Sequence, residues 1–71
     1  MSNFLQSLLN QQVRVTISDD RVVHGRLTCI DHLGNLIVEN AAVIDNADGE
    51  QSLASVMVPG THIVKLEISG D

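Results

Sequence analysis

The chain has 71 residues, 44% of them hydrophobic, which is enough for one small packed domain and excludes a multidomain enzyme. A domain of this size buries only about 60–65% of its unfolded surface, so its own stability is thin and an oligomeric or heteromeric partner is expected. Nine acidic side chains against four basic ones (Arg14, Arg21, Arg26 and Lys65) give a net charge of −5, which works against polyanions because affinity for phosphates comes mostly from cation contacts that release counterions.

In the first segment Phe4, Leu5, Leu8 and Leu9 fall at i, i+1, i+4 and i+5, and Ser2 or Asn3 stands ready to cap the short helix this spacing predicts. Phe4 is the sole aromatic residue, so the stacked-ring platforms of single-strand nucleic-acid binders are missing. From Val13 the period changes, with Val13, Val15 and Ile17 alternating with Arg14, Thr16 and Ser18 as in a strand. Asp19 and Asp20 make a tight connection into a long second strand over residues 21–31, where Val23, Gly25, Leu27 and Cys29 share one face and His24, Arg26 and Thr28 the other. A glycine in mid-strand weakens the ladder, so Gly25 marks a sharp bend where the sheet curls over itself. The run Asp31-His32-Leu33-Gly34-Asn35 is the next turn and leads into a third strand over residues 35–40. Residues 40–50 are small, acidic and turn-rich, which predicts an exposed, mobile loop. Residues 53–58 form a fourth strand, Val58-Pro59-Gly60-Thr61 has Pro and Gly where a type II turn needs them, and residues 63–68 form the last strand. A short N-terminal helix followed by five short strands predicts a mainly β fold, a strongly bent antiparallel barrel, because a flat sheet cannot enclose a core from one face.

Candidate chemistry is sparse. The lone Cys29 has no partner for an internal disulfide, which points to a reducing compartment. The N-terminus has no basic leader region, and the longest apolar run falls far short of the roughly 18 residues of a membrane span, so a soluble intracellular protein with no membrane contact is expected. His24, His32, His62 and Cys29 stand at none of the spacings of metal sites, so no metal or cofactor is assigned. Cys29 reads as a small core residue rather than a reactive thiol. Ser, His and Asp are all present, but so small a barrel offers little concave volume for a substrate, and no catalytic residue is assigned. Asp31 and Asn35 either cap the backbone of their turn, the simpler reading, or touch a ligand. Pro59-Gly60 is a turn or a docking feature, and the apolar stripe at Phe4, Leu5, Leu8 and Leu9 closes the open end of the barrel or meets a partner helix.

The run from Gly25 to Val38 sets a mid-strand glycine, then Asp31, three residues, Asn35, and apolar residues. It resembles the first motif of the Sm and Sm-like (LSm) family, and Val56-Met57-Val58-Pro59-Gly60 stands where the second motif of that family ends in an Arg-Gly pair. The resemblance runs from Phe4 to Ile68 and implies a single LSm-type domain over residues 1–71. It also implies rings of six or seven subunits that bind uridine-rich RNA through three side chains each: a stacking residue two positions after the Asp, the Asn itself, and the Arg of the Arg-Gly pair. In this chain Asn35 and Gly60 match, but the stacking position is Leu33 and the arginine position is Pro59. Neither supplies a π face or a cation, and base stacking is typically worth about 1–3 kcal/mol per base. Asp31, Leu33 and Asn35 thus read as remnants of an RNA motif, and RNA is disfavoured as a partner.

The segment Met57-Val58-Pro59-Gly60-Thr61-His62-Ile63-Val64 is similar to one divergent branch of the family, the auxiliary LSm-domain subunits of NatC-type N-terminal acetyltransferases. That similarity implies a non-enzymatic, cytoplasmic member of a heterotrimer, partnered by a catalytic acetyltransferase and a large scaffold subunit. A curled sheet that is not fully closed keeps two edges, here residues 53–58 and 63–68, whose free N–H and C=O groups suit a partner strand. Leu53, Ser55, Val56, Val58, Pro59, Gly60, Ile63 and Lys65 are the candidate contact residues. The alternative is a subunit of an RNA-binding LSm heteroheptamer in RNA processing, with neighbours supplying the cations and stacking residues that this chain lacks.

Overall fold

The computed structural model describes residues 6–47 and 49–68. Five strands, β1 (Gln12–Ile17), β2 (Val22–Ile30), β3 (Leu36–Asp45), β4 (Gly49–Val58) and β5 (Ile63–Ile68), form one antiparallel sheet in the order β4-β3-β2-β1-β5. The five steps from Val58 to Ile63 join the two outermost strands and span at most about 17 Å even fully extended. Five flat strands would hold those outer members about 19 Å apart, and a 3-10 turn over Gly60–His62 shortens the link further. The sheet therefore has to curl. Among the described residues β4 and β5 do not pair with each other, so the expected barrel is an open, curled sheet with two free edges.

The concave face encloses Val13 and Val15 of β1, Val23 and Leu27 of β2, Leu36, Val38, Ala41 and Val43 of β3, and Val58 of β4, with no buried polar side chain among the described residues. Leu8 is buried with them and Leu9 packs alongside. The helix expected at the N-terminus falls partly outside the described residues, because Phe4 and Leu5 are not among them. Within them Gln6 and Ser7 have helical backbone, Leu8 to Asn10 form a turn, and no α-helix precedes β1. Asn10 ends the segment with φ 67°, and its N–H donates to Leu27 O at 2.6 Å, which seats Leu8 over the core.

Two register shifts between β2 and β3 explain where the simple alternation fails. His24 pairs with Ala42 but Arg26 pairs with Glu39, so β3 carries an extra residue here, beside Asn40 at φ 51°. Leu36 and Val38 point inward before the bulge, Ala41 and Val43 after it. Gly25 lies across from it, and a Cβ there would stand 2.8 Å from both Glu39 O and Val38 Cγ1, so this is the bend at which only glycine fits. The second shift adds Thr28 to β2, since Leu27 pairs with Val38 and Cys29 with Ile37. That slip turns Cys29 outward. The expected core cysteine is therefore exposed.

Two further expectations are corrected. In place of the mobile loop expected over residues 40–50, β3 runs on to Asp45 and β4 begins at Gly49, and the two strands pair up to these residues. Ala41 and Val43 keep the buried phase of a strand to Asp45, the Ala47 N–H donates to Asp45 Oδ1 at 2.7 Å, and Gly49 takes φ 79°. Nor is Val58-Pro59-Gly60-Thr61 a type II turn, because that turn needs a left-handed Gly60, which is not among the positive-φ glycines. Pro59 is extended (φ −62°, ψ 134°), and the turn closes one residue later, with the His62 N–H donating to Pro59 O at 3.0 Å.

Candidate functional site

The turn at residues 31–35 is organised by one exposed carboxylate. Asp31 Oδ1 accepts the backbone N–H of Leu33 at 2.8 Å and of Asn35 at 2.9 Å, while Oδ2 accepts the Asn35 side-chain N–H at 2.9 Å. The backbone N–H of Asn35, then its side-chain N–H, hold the Asp31 carboxyl below its ordinary value. Asn35 also reaches out of the turn, with its Oδ1 accepting the Gly60 N–H at 2.9 Å. A Cβ on Gly60 would lie 2.7 Å from Gly34 O, so glycine permits the 31–35 turn and the 60–62 turn to touch.

The turn-capping roles of Asp31 and Asn35 are thus observed directly, and Asn35 works as a clamp between two turns. The Gly60–Asn35 bond brings the 31–35 turn, with Leu33, against the connection that starts at Pro59. What they present is aliphatic: Leu33 is 71% exposed at the tip of one turn, and Pro59 is exposed at the start of the other.

The two free edges differ in character. On β4, residues 49–55 and Met57 are exposed, Val56 is half-buried, and Val58 belongs to the core rather than to the surface. No charge and no proline interrupts it from Gln51 to Val58, so the edge lacks the usual devices that discourage strand pairing. On β5, Lys65 is exposed and lies 3.6 Å from Glu67, while Ile63 is half-buried. Leu53, Ser55, Pro59 and Lys65 are the sequence-predicted contact residues that stand exposed, and Gly60 is half-buried under the clamp. Met57, Val64 and Ile68 are exposed apolar residues of the same two strands that lie outside the predicted contact set. For Met57 the signal was present, because it falls between two inward-facing valines.

A cleft of about 230 Å³ opens on the concave side between β4 and the end of the sheet where β1 turns into β2. Ile17, Val23, Val43 and Leu53 give it apolar walls, and Asp19 and Arg21 stand at the β1–β2 connection that also lines it. Asp19 Oδ2 accepts Arg21 Nε–H at 2.8 Å, and this side-chain bond holds the Asp19 carboxyl low and the guanidinium pKa up. The described residues contain no cluster of three or more His, Cys, Asp or Glu able to hold a metal ion, and no helix long and apolar enough to cross a membrane.

The fold has close counterparts among solved structures. A chain of the NatC complex bound to CoA superposes with a TM-score of 0.81 at 20% identity, covering 92% of this chain and 83% of that one. The Pyrobaculum aerophilum SmAP1 heptamer gives 0.85 at 23% identity, covering 97% and 92%. The Pyrococcus Sm protein in complex with a uridine heptamer gives 0.84 at 16% identity, covering 94% of each chain. At these identities the likeness is one of fold. In sequence, the chain is similar to the Drosophila melanogaster protein named N-alpha-acetyltransferase 38, NatC auxiliary subunit (37% identity over 65 residues, 90% of this chain and 54% of that protein). It is similar also to the Mus musculus protein of the same name (33% over 70 residues, 90% and 56%). The chain thus spans little more than half the length of these two relatives. The family model described as LSM domain matches residues 3–68, and the chain belongs to the LSM domain family.

Proposed function

We propose that residues 1–71 form a single LSm domain that serves as a non-catalytic auxiliary subunit of a NatC-type N-terminal acetyltransferase. One observation carries this reading: the Asp31–Asn35–Gly60 clamp joins the two turns that hold the family's motif positions, yet the side chains it presents are Leu33 and Pro59. A cradle that keeps its frame and replaces its stacking and cationic groups with aliphatic ones suits protein contact better than RNA. The relatives that bear the name NatC auxiliary subunit support the reading over 90% of this chain. In it the chain is cytoplasmic and heterotrimeric, partnered by a catalytic acetyltransferase and a large scaffold subunit, and needs no cofactor of its own. Its contacts are made along the free edges, through Leu53, Ser55 and Val56 of β4, Pro59 and Gly60 of the connection, and Ile63 and Lys65 of β5, while Val58 serves the core beneath them.

Affinity purification of the tagged chain from its own cells, with mass spectrometry of stoichiometric partners, tests this. An acetyltransferase subunit is the expected companion. Recovery of other LSm chains together with RNA, and no acetyltransferase, would replace this reading by that of an RNA-binding ring subunit.

A further inference from the structure

The cations of this acidic chain are not spread evenly. Arg21 sits in the β1–β2 connection and is bonded to Asp19, whereas Arg14, Arg26 and Lys65, the other three, all stand exposed on the outer face of the sheet, on β1, β2 and β5. The phase of the strands puts them there, since Val13 and Val15 on either side of Arg14 are buried, Leu27 after Arg26 is buried, and Leu66 after Lys65 is half-buried. The register then sets their spacing. Lys65 lies opposite Thr16, two residues from Arg14, and Arg14 lies opposite His24, two residues from Arg26. Each step is thus the diagonal one between neighbouring strands, about 7–8 Å, and the three cations form one oblique line across β5, β1 and β2. Alternate side chains of an extended segment are about 6.7 Å apart, so the two spacings nearly match. Two acids share the face and flank the line. Glu67 is 3.6 Å from Lys65 and Glu39 is 4.0 Å from Arg26, and all four side chains are well exposed, so neither pair holds its cation firmly against a competing carboxylate. Arg14, in the middle, lies opposite Glu67 in the register but makes no ion pair among the described residues.

Taken with the reading that this chain acts through protein contacts, we propose that the outer face of β5, β1 and β2 receives an extended acidic segment of a partner protein, with carboxylates at three alternate positions meeting Lys65, Arg14 and Arg26. Gln12 opposite Arg26 and His24 opposite Arg14 add polar side chains beside the line. Three acids are the full complement, because the next diagonal position beyond Arg26 is the apolar Ile37 of β3, and beyond Lys65 the sheet ends. That limit disfavours a nucleic-acid strand, whose charge runs on past the three cations over a chain of net charge −5. A second copy of this chain is also a poor occupant, since no segment of the sequence has three acids at alternate positions. The contact is made by side chains on the face, so it leaves the N–H and C=O groups of both edges untouched.

The test uses the whole chain and two synthetic peptides of equal composition, one with three glutamates at alternate positions between serines and the other with the three in succession. In an NMR titration at about 0.01 M ionic strength, where the Debye length is about 30 Å, the alternating form is expected to shift the amide and side-chain N–H signals of Arg14, Arg26 and Lys65. It should bind several-fold more tightly than the other peptide, and less tightly as salt rises. Arg14→Gln, Arg26→Gln and Lys65→Gln, all at exposed positions, should each weaken it by about two- to fivefold, the size of one exposed charge contact, with the amide spectrum of the fold intact. Arg21→Gln, off the face, should leave it unchanged. No binding by the wild-type chain, equal binding of the two peptides, or a loss for Arg21→Gln as large as for Arg14→Gln would overturn the proposal. So would an oligouridine of the same charge that binds more tightly than the alternating peptide, since the face would then select phosphates. The same variants in the partner purification keep this proposal and the subunit reading apart. If the wild-type chain captures an acetyltransferase and a variant with all three cations replaced by Gln holds it through the same salt wash, the face proposal fails and the subunit reading stands. If no acetyltransferase is captured while the peptide results hold, the reverse is true.

Discussion

Asp31 shows how much an exposed side chain can organise when its acceptors face backbone N–H groups rather than water. Its carboxyl is held below its ordinary value by bonds made only in the folded chain. A depressed folded-state pKa contributes stability that is fully present above the unfolded value and is lost as pH falls through the folded one. The melting temperature of Asp31→Asn should therefore lie below that of the wild type at neutral pH, and the difference should shrink as pH falls below about 4. Thermal melts across that range check it, and a constant difference would mean that the carboxylate bonds are not what the variant lost. Gly25 makes a sharper case, since the atoms a Cβ would meet at 2.8 Å include the backbone oxygen of Glu39, which no rotamer change can move. Gly25→Ala should cost about 1–3 kcal/mol through strain, read as a lower urea midpoint with an unchanged slope.

At the scale of the strands, alternation in the sequence located all five elements and the inward faces of β1 and of the first half of β2. It could not say which strands lie outermost, which in the sheet are β4 and β5. What it missed follows from bulges and turn closure. A single inserted residue such as Thr28 reverses the faces downstream, and nothing in a period-2 pattern announces it. Its hydroxyl donates to Ile37 O at 3.2 Å, a bond between residues nine positions apart. The β3–β4 hairpin was obscured because Asn, Asp and Gly near its tip look like a loop, while the pairing of Asp45 with Gly49 keeps both strands in register to the end. The bulge has a direct chemical consequence at Cys29. The thiol of the native chain should react with a disulfide reagent in the absence of denaturant at a rate within a few-fold of the unfolded chain. Strong protection would mean that β2 runs without the extra residue and that Cys29 faces the core.

For the molecule as a whole, the clamp could not be read from local spacing, because Asn35 and Gly60 are 25 residues apart and meet only when the sheet curls. The motif resemblance supplied the positions, and the structure supplies the reason they matter: the clamp fixes where the two flanking side chains stand. With Leu33 and Pro59 at those places, the two flanking positions offer a uridine neither a ring nor a cation, and the net charge of −5 opposes its phosphates. Fluorescence anisotropy with labelled oligouridine at about 0.15 M ionic strength, where the Debye length is about 8 Å, should show no saturable binding by the chain alone. The double variant Leu33→His with Pro59→Arg tests the same frame from the other side. Both positions are exposed, and Pro59 has the extended backbone that arginine adopts readily, so the fold should survive. Because the two turns remain locked by Asn35 and Gly60, the new ring and the new cation should flank one base, adding about 1–3 kcal/mol of stacking and a salt-dependent contact. Binding should then appear at low salt, weaken as salt rises, and vanish again when Asn35→Ala opens the clamp. Micromolar binding by the unmodified chain would contradict the protein-contact reading of this site, and a double variant whose affinity does not depend on Asn35 would show that the turns do not act together.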